Sequence, residues 1–186
     1  MLKNTTLSLA LASSLAATAY AHGGATGIVK DRMDAMAAMA AEIRVIAPMM
    51  RGETAYDVAS VRAAAQTFSF HSGVAMTNLY PEGTGGSPSA STAQVWSDPD
   101  GFAQLADQLS DYAEGLSRAA RNGVRLSPDG QSAPMAMDMS TIMMGASGPS
   151  VAGAESIDFS TLPANEAFEL VAQTCASCHA TYRSKG

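Results

Sequence analysis

The chain is poor in cysteine, histidine, aromatic residues and basic charge. It has two Cys, three His and one Trp in 186 residues, and aromatic residues make up 6%. Because a structural zinc site usually takes four Cys or His ligands, the two cysteines supply half a set at most. The 11 basic residues are outnumbered by 17 acidic ones, which argues against nucleic-acid binding, since that function needs a basic face. No later run of apolar residues is long enough to span a membrane.

The first 21 residues have the features of a secretory signal peptide. Lys3 gives a positive start, residues 7–17 form a short apolar run, and Ala19-Tyr20-Ala21 matches a small-residue cleavage site. The sequence therefore predicts a mature chain of residues 22–186 that is exported, in a bacterium to the periplasm. Without Lys3 its formal charge is 10 − 17 = −7. Its length suits one domain with a real core.

The most specific motif lies near the C terminus, where Cys175-Ala-Ser-Cys178-His179 follows the pattern Cys-x-x-Cys-His. This spacing is typical of covalent attachment of a c-type haem. Each thiol adds to one haem vinyl group, and the adjacent imidazole becomes the proximal ligand of the iron. Residues three and four apart share one face of a helix, so all three side chains can meet one side of a flat macrocycle. The motif predicts one haem c.

Three other interpretations of this motif are weaker. A zinc site would need further ligands, and His22 and His71 lie far away in sequence. A thioredoxin-like cysteine pair would sit beside a βαβ pattern, for which the C-terminal end leaves no room. A plain structural disulfide would not explain the histidine that follows.

Four stretches of the chain carry apolar residues at steps of three and four, the spacing of a helix face. Abundant Ala and Met also favour helices, and no stretch alternates like a strand. Pro48 is expected to kink or end the first helix, and Asp98 to cap the third. The sequence predicts an all-α, antiparallel four-helix bundle, which holds cofactors between facing helices. The predicted helices cover residues 26–50, 56–79, 98–122 and 164–183.

Between the third and fourth predicted helices, residues 124–162 form an insertion rich in Gly, Pro, Ser and Met. A connection this long is unusual in a compact domain. Residues 135–144 include five methionines. Because thioethers are soft ligands that select Cu(I), a copper site is one interpretation. No His or Cys joins the cluster, so the favoured interpretation is that these methionines cover an apolar patch or the haem edge.

Taken together, these residues resemble the class II c-type cytochromes, the group of cytochrome c′ and its Met-ligated low-spin relatives. The resemblance rests on the C-terminal run from Cys175 to Arg183, on Arg32-Met33-Asp34-Ala35-Met36 in the first helix, and on residues 47–52 and 95–98. Cytochrome c′ is itself a standard example of a four-helix bundle, so the resemblance implies that fold. The Met-rich insertion departs from the family's pattern.

The resemblance also implies roles for two cations and the single Trp. Arg32 is expected to contact a haem propionate, and Arg183 to lie near His179; both make sense beside an anionic cofactor. The alternative for each is an ordinary solvated helix charge. Trp96 is expected to pack near the haem pocket, although a lone Trp serves as easily as a core anchor.

Met36 is the position that decides the function. By the resemblance, the residue four after the arginine faces the distal side of the iron, where Met supplies a sixth ligand and Leu leaves the iron open to small gases. His/Met ligation raises the reduction potential and suits electron transfer. Met33 and Met39 compete for the role from neighbouring positions, and His71 is assigned none.

The sequence therefore predicts a periplasmic mono-haem electron carrier, not an enzyme, with iron ligated by His179 and Met36. Its expected partners are redox proteins and not nucleic acids, and no membrane span is expected. The resemblance also allows a homodimer. Two alternatives stay open: a five-coordinate cytochrome c′ that binds NO or CO, and a copper-handling protein built on the Met cluster.

Overall fold

The computed structural model describes residues 24–126 and 157–184. Within these ranges the chain forms helices and no named strand, which confirms the predicted all-α bundle. Four of these helices are long, namely α1, α2, α5 and α6 in the chain order given below. The predicted signal peptide, His22 and the five clustered methionines lie outside the described residues. In chain order the helices are α1 (Gly27–Met50), α2 (Val58–Phe70), α3 (Gly73–Thr77), α4 (Gln94–Ser97), α5 (Pro99–Ala119) and α6 (Ala164–Tyr182).

The core lies between the four long helices, and each of them contributes to it. α5 packs against both α2 and α6, and α1 contacts α2 and α6. The largest fully buried side chains come from all four: Ile46 of α1, Val61 and Phe68 of α2, Leu116 of α5 and Val171 of α6. Burying each such side chain contributes about 1.5–3 kcal/mol relative to leaving it exposed. Packing in this core sets the orientation of α1 and α6 relative to each other.

The prediction of one continuous helix over residues 56–79 was wrong. α2 ends at Phe70, and α3 begins at Gly73, where φ is +55°. Gly tolerates this left-handed conformation without steric cost, so the helix direction changes there. α3 then packs against α5, and Ala75 is exposed. The apolar spacing continues across residues 71–72, which hid the break.

The ends of the other long helices agree closely with prediction. Pro48 lies inside α1, which ends two residues later at Met50. A proline this close to the end removes one backbone donor from the last turn and leaves the preceding hydrogen bonds intact. Asp98 caps α5 by accepting a hydrogen bond from Gly101 N at 3.2 Å, as expected.

The segments that lead into and out of residues 127–156 are tied to each other. Ala164 N donates to Gly123 O at 2.7 Å, and Arg125 N donates to Asn165 Oδ1 at 2.9 Å. The amide of Asn165 donates back to Arg125 O at 3.0 Å, and the Arg125 guanidinium pairs with Glu166 at 2.9 Å. Both ends of the predicted insertion are therefore part of the bundle.

A test of this packing is the substitution Gly115→Ala in α5. A Cβ at Gly115 would lie 2.5 Å from Phe159 Cε1, a contact that forces the ring to move. Alanine gains up to about 1 kcal/mol of helix propensity, whereas overpacking costs about 1–3 kcal/mol. We expect a lower unfolding temperature, measured by circular dichroism. Gln104→Ala, at an exposed site on the same helix, is the control, and a Gly115→Ala protein as stable as the wild type would contradict the prediction.

Candidate functional site

The Cys-x-x-Cys-His motif lies in the last two turns of α6. Cys175 and Cys178 are half-buried free thiols that pack at the edge of the core, and His179 is exposed. Thr174, just before the motif, is buried and donates to Leu170 O at 2.9 Å. The free thiols give no support to the disulfide interpretation. Their common face on α6 meets the geometric requirement of a haem attachment site.

Partial burial governs the protonation of this motif. Burial raises the pKa of the Cys175 thiol, and burial together with the neighbouring Cys175 raises the pKa of Cys178 to about 11. Partial burial of the imidazole lowers the pKa of His179, and the positive charge of Arg183 lowers it further. Both thiols are therefore protonated at neutral pH, and the imidazole is biased toward its neutral form, which can bind a metal.

Arg32 is a buried cation, with 2% of its surface exposed. Its guanidinium donates to Thr84 Oγ1 at 3.1 Å, to Thr84 O, and to Leu79 O at 3.4 Å. It also lies 4.8 Å from the centre of the Tyr80 ring. In the described part of the chain these partners are all uncharged, and burial lowers the pKa of the guanidinium. Arg32 is thus not the solvated helix charge of the alternative interpretation, and an anion placed beside it would be stabilised.

Three aromatic rings connect this arginine to the motif. The Tyr80 and Phe102 rings are 4.8 Å apart, and the Phe102 and Tyr182 rings 5.2 Å apart, both edge to face. Burial raises the pKa of Tyr80, and burial together with the hydrogen bond to Asp98 raises the pKa of Tyr182 to about 12. The rings form a continuous wall from α1 to α6. Sequence reasoning missed Tyr80, whose only signal was its place directly before Pro81.

Trp96 closes one side of this region. Its indole N–H donates to Tyr80 O at 2.9 Å and to Pro81 O at 3.0 Å. Its ring is half-buried, and a Cβ at Gly85 would lie 3.0 Å from Trp96 Cη2. The ring borders an open cavity of about 520 Å³, which is also lined by Glu82, Gly83, Gly85, Gly86, Ser91 and Ala93. Trp96 therefore anchors the turn after Tyr80 and lines a cavity.

Met36 lies one helical turn after Arg32, on the same face of α1. It is half-buried and packs at the edge of the core, as Cys175 and Cys178 do. Met39 belongs to the core itself, with 8% of its surface exposed, and Met33 is half-buried. Core burial makes Met39 a poor competitor for a ligand role, whereas Met33 and Met36 are both only half-buried.

Arg183 follows the end of α6 and is exposed. It is four residues after His179, and after the larger effect of burial its positive charge lowers the pKa of that imidazole. The backbone around it is fixed, because Thr92 N donates to Tyr182 O at 2.9 Å and Ser184 N donates to Ala90 O at 2.7 Å. This clamp ties the end of α6 to the segment that leads into α4.

Other site types receive no support from the described residues. Within residues 24–126 and 157–184, no three His, Cys, Asp or Glu side chains gather as a metal site. Within the same ranges, no helix combines the length and apolar character needed to cross a bilayer. His71 lies at the C-terminal end of α2, its ring edge-on to Phe70 at 5.0 Å.

The Cys-x-x-Cys-His motif is the mark of c-type haem proteins, and here it lies on the last helix of a helical bundle. A sequence model of the family described as Cytochrome C' matches residues 27–136. The chain belongs to the cytochrome c′ family, whose members bind haem c covalently. No curated protein sequence matches the chain.

Solved structures with the same fold include cytochrome c′ from Thermochromatium tepidum, at 21% identity and a TM-score of 0.58, covering 85% of this chain and 95% of that one. A nitric oxide complex of a cytochrome c prime variant from Alcaligenes xylosoxidans is 23% identical, with a TM-score of 0.57 over 85% of this chain and 94% of that one. A carbon monoxide complex of another variant has the same identity, TM-score and coverage. At these identities the similarity establishes the fold.

Proposed function

We propose that the chain binds one haem c through Cys175 and Cys178, with His179 as the proximal ligand. The two thiols are free, half-buried and one helical turn apart on α6. Arg32 fits the cofactor as well, because a buried guanidinium with uncharged partners is suited to an anionic propionate. The bound haem would supply one-electron redox chemistry and an iron coordination position, while the bundle supplies ligands and shielding.

We propose single-electron transport as the function, and the observation that supports it is the position of Met36. Its half-buried side chain lies one turn after Arg32, on the face of α1 that also meets the aromatic wall. A Met ligand opposite His179 would close the sixth position and raise the reduction potential. The protein would then pass electrons between partners and turn over no substrate.

A second candidate is the binding of small gases at an open sixth position. The related structures that are nitric oxide and carbon monoxide complexes favour this function over electron transport. Gas binding requires that the Met36 thioether stay off the iron, so the two candidates differ in one coordination bond. Trp96, Tyr80 and Arg32 would border the haem in either case.

Absorption spectra of the oxidised and reduced holoprotein separate the two candidates. Electron transport through a His/Met iron predicts a low-spin ferric spectrum with a far-red methionine-sulfur band, and no change when carbon monoxide is added to the reduced protein. A high-spin ferric spectrum, with a shifted reduced spectrum under carbon monoxide, would instead support gas binding. A colourless protein from a host competent in cytochrome assembly would contradict both.

The signal-peptide features of residues 1–21 support export, in a bacterium to the periplasm. We expect redox proteins as partners and no nucleic acid, because acidic residues outnumber basic ones by 17 to 11. A homodimer stays a prediction of the resemblance. Copper binding by the methionines of residues 135–144 also stays a prediction, on residues outside the described ranges.

A further inference from the structure

The outer face of α5 borders an open groove of about 1060 Å³, distinct from the cavity beside Trp96. The groove begins at Asp98 and reaches Ile157 and Phe159, which lie just after residues 127–156. The charges on it are strongly one-sided, because only Arg118 is basic. Its acidic residues are Asp98, Asp100, Asp107, Asp111 and Glu114.

Two of these five carboxylates, Asp107 and Asp111, have no partner within the described part of the chain. Glu114 lies 3.8 Å from Arg118, and Asp98 caps α5. Asp100 in the first turn is stabilised by the helix dipole. Asp107 and Asp111 lie too far along α5 for that effect, and they make no ion pair or hydrogen bond among the residues described.

The groove combines this charge with apolar surface. Ile157 is 42% exposed, Tyr112 is half-buried, and the buried Phe159 ring lies beside Tyr112, 6.2 Å between centroids. Protein–protein interfaces usually combine apolar contacts with charged and polar groups, as this groove does. An ordinary solvated helix face would offer charges of mixed sign, as α1 does with Lys30 and Asp31.

One end of the groove is linked to the haem-attachment helix. The Tyr182 hydroxyl donates to Asp98 Oδ2 at 2.7 Å, and Tyr182 is three residues after His179. A protein seated in the groove would therefore contact the bundle beside the end of α6.

We propose that the α5 groove is the docking surface for a partner protein with a basic face. The proposal rests on the electron-transport function proposed above, and charge complementarity identifies the partner. The same groove on a second copy fits poorly, because it would bring like charges together, and like charges across an interface repel. The groove would raise the rate of encounter with a basic partner by electrostatic attraction.

The test uses the mature holoprotein and two variants with the same change in net charge. The groove variant combines Asp107→Asn with Asp111→Asn, and the control combines Glu42→Gln on α1 with Glu169→Gln on α6. The first probe is an octalysine peptide at low ionic strength, followed by amide chemical shifts. We expect shifts concentrated on residues 98–118, lost in the groove variant and kept in the control.

The second probe is a small basic c-type cytochrome as electron acceptor, followed by stopped-flow absorbance. We expect the second-order rate constant to fall about tenfold in the groove variant at low ionic strength and to stay within about twofold in the control, as electrostatic steering predicts. The proposal would be overturned if the rate constant fell equally in both variants. It would also be overturned by octalysine shifts on residues away from α5, or by self-association that the groove variant abolishes. Octalysine binding on α5 without electron exchange would support the groove and contradict the electron-transport function.

Discussion

Replacing Met36 with leucine is expected to change the holoprotein from a low-spin form to a high-spin form that binds carbon monoxide when reduced. Leucine has nearly the volume of methionine, so the change costs less than about 1.5 kcal/mol of stability. It cannot donate a sulfur lone pair, and the far-red sulfur band should disappear completely. The reduction potential should fall, because a His/Met pair raises it. Absorption spectra and a redox titration measure both effects.

Met33→Leu is the matched control for this experiment. Met33 is also half-buried on α1, three residues before Met36, and resembles it in chemistry and accessibility. Its replacement should leave the spin state and the potential unchanged. If Met33→Leu removed the far-red band while Met36→Leu kept it, the ligand assignment would move to Met33. A wild-type protein that is already high-spin would favour the gas-binding candidate.

The double substitution of Cys175 and Cys178 by serine is expected to abolish covalent haem attachment completely. Serine hydroxyls do not form the thioether bonds that the motif requires. Protein matured in a host that assembles c-type cytochromes should then have the mass of the processed polypeptide alone. It should also lose any remaining colour in acidic acetone, which extracts haem that is not covalently bound. Mass spectrometry of the intact chain measures the result directly.

Ser177→Ala is the control for this variant, because Ser177 lies between the two cysteines and is exposed. It should keep one covalent haem per chain. A double serine variant that still carried the mass of a haem would refute the proposed attachment. A wild-type chain with the bare mass would refute it equally, whatever the spectra of other variants.

The helices were predictable where local chemistry decides them. The Asp98 cap and Pro99 at the start of α5 are local signals, and α5 begins at Pro99. The change of direction at Gly73 was not predictable in this way, because it depends on α3 finding a surface on α5. Apolar spacing identifies the buried face of a helix. It does not show where contacts with another helix favour a break.

The site was predictable in its chemistry and only partly in its surroundings. The spacing of Cys175, Cys178 and His179 is enough by itself to indicate haem attachment. The burial of Arg32 among the uncharged oxygens of residues 79 and 84 brings together groups 47 and 52 residues apart. The same holds for Tyr80 and Phe102, whose contact with Tyr182 no local pattern indicates.

The sequence by itself determined the attachment motif, the helical class and the excess of acidic charge, because each depends on residue identity and spacing within a few turns. Only the tertiary structure decided which arginine is buried, which methionine enters the core, and that the carboxylates of α5 line a groove beside the end of α6. These outcomes depend on long-range packing, since burial and charge neighbourhood are set by residues distant in sequence that meet only in the folded bundle.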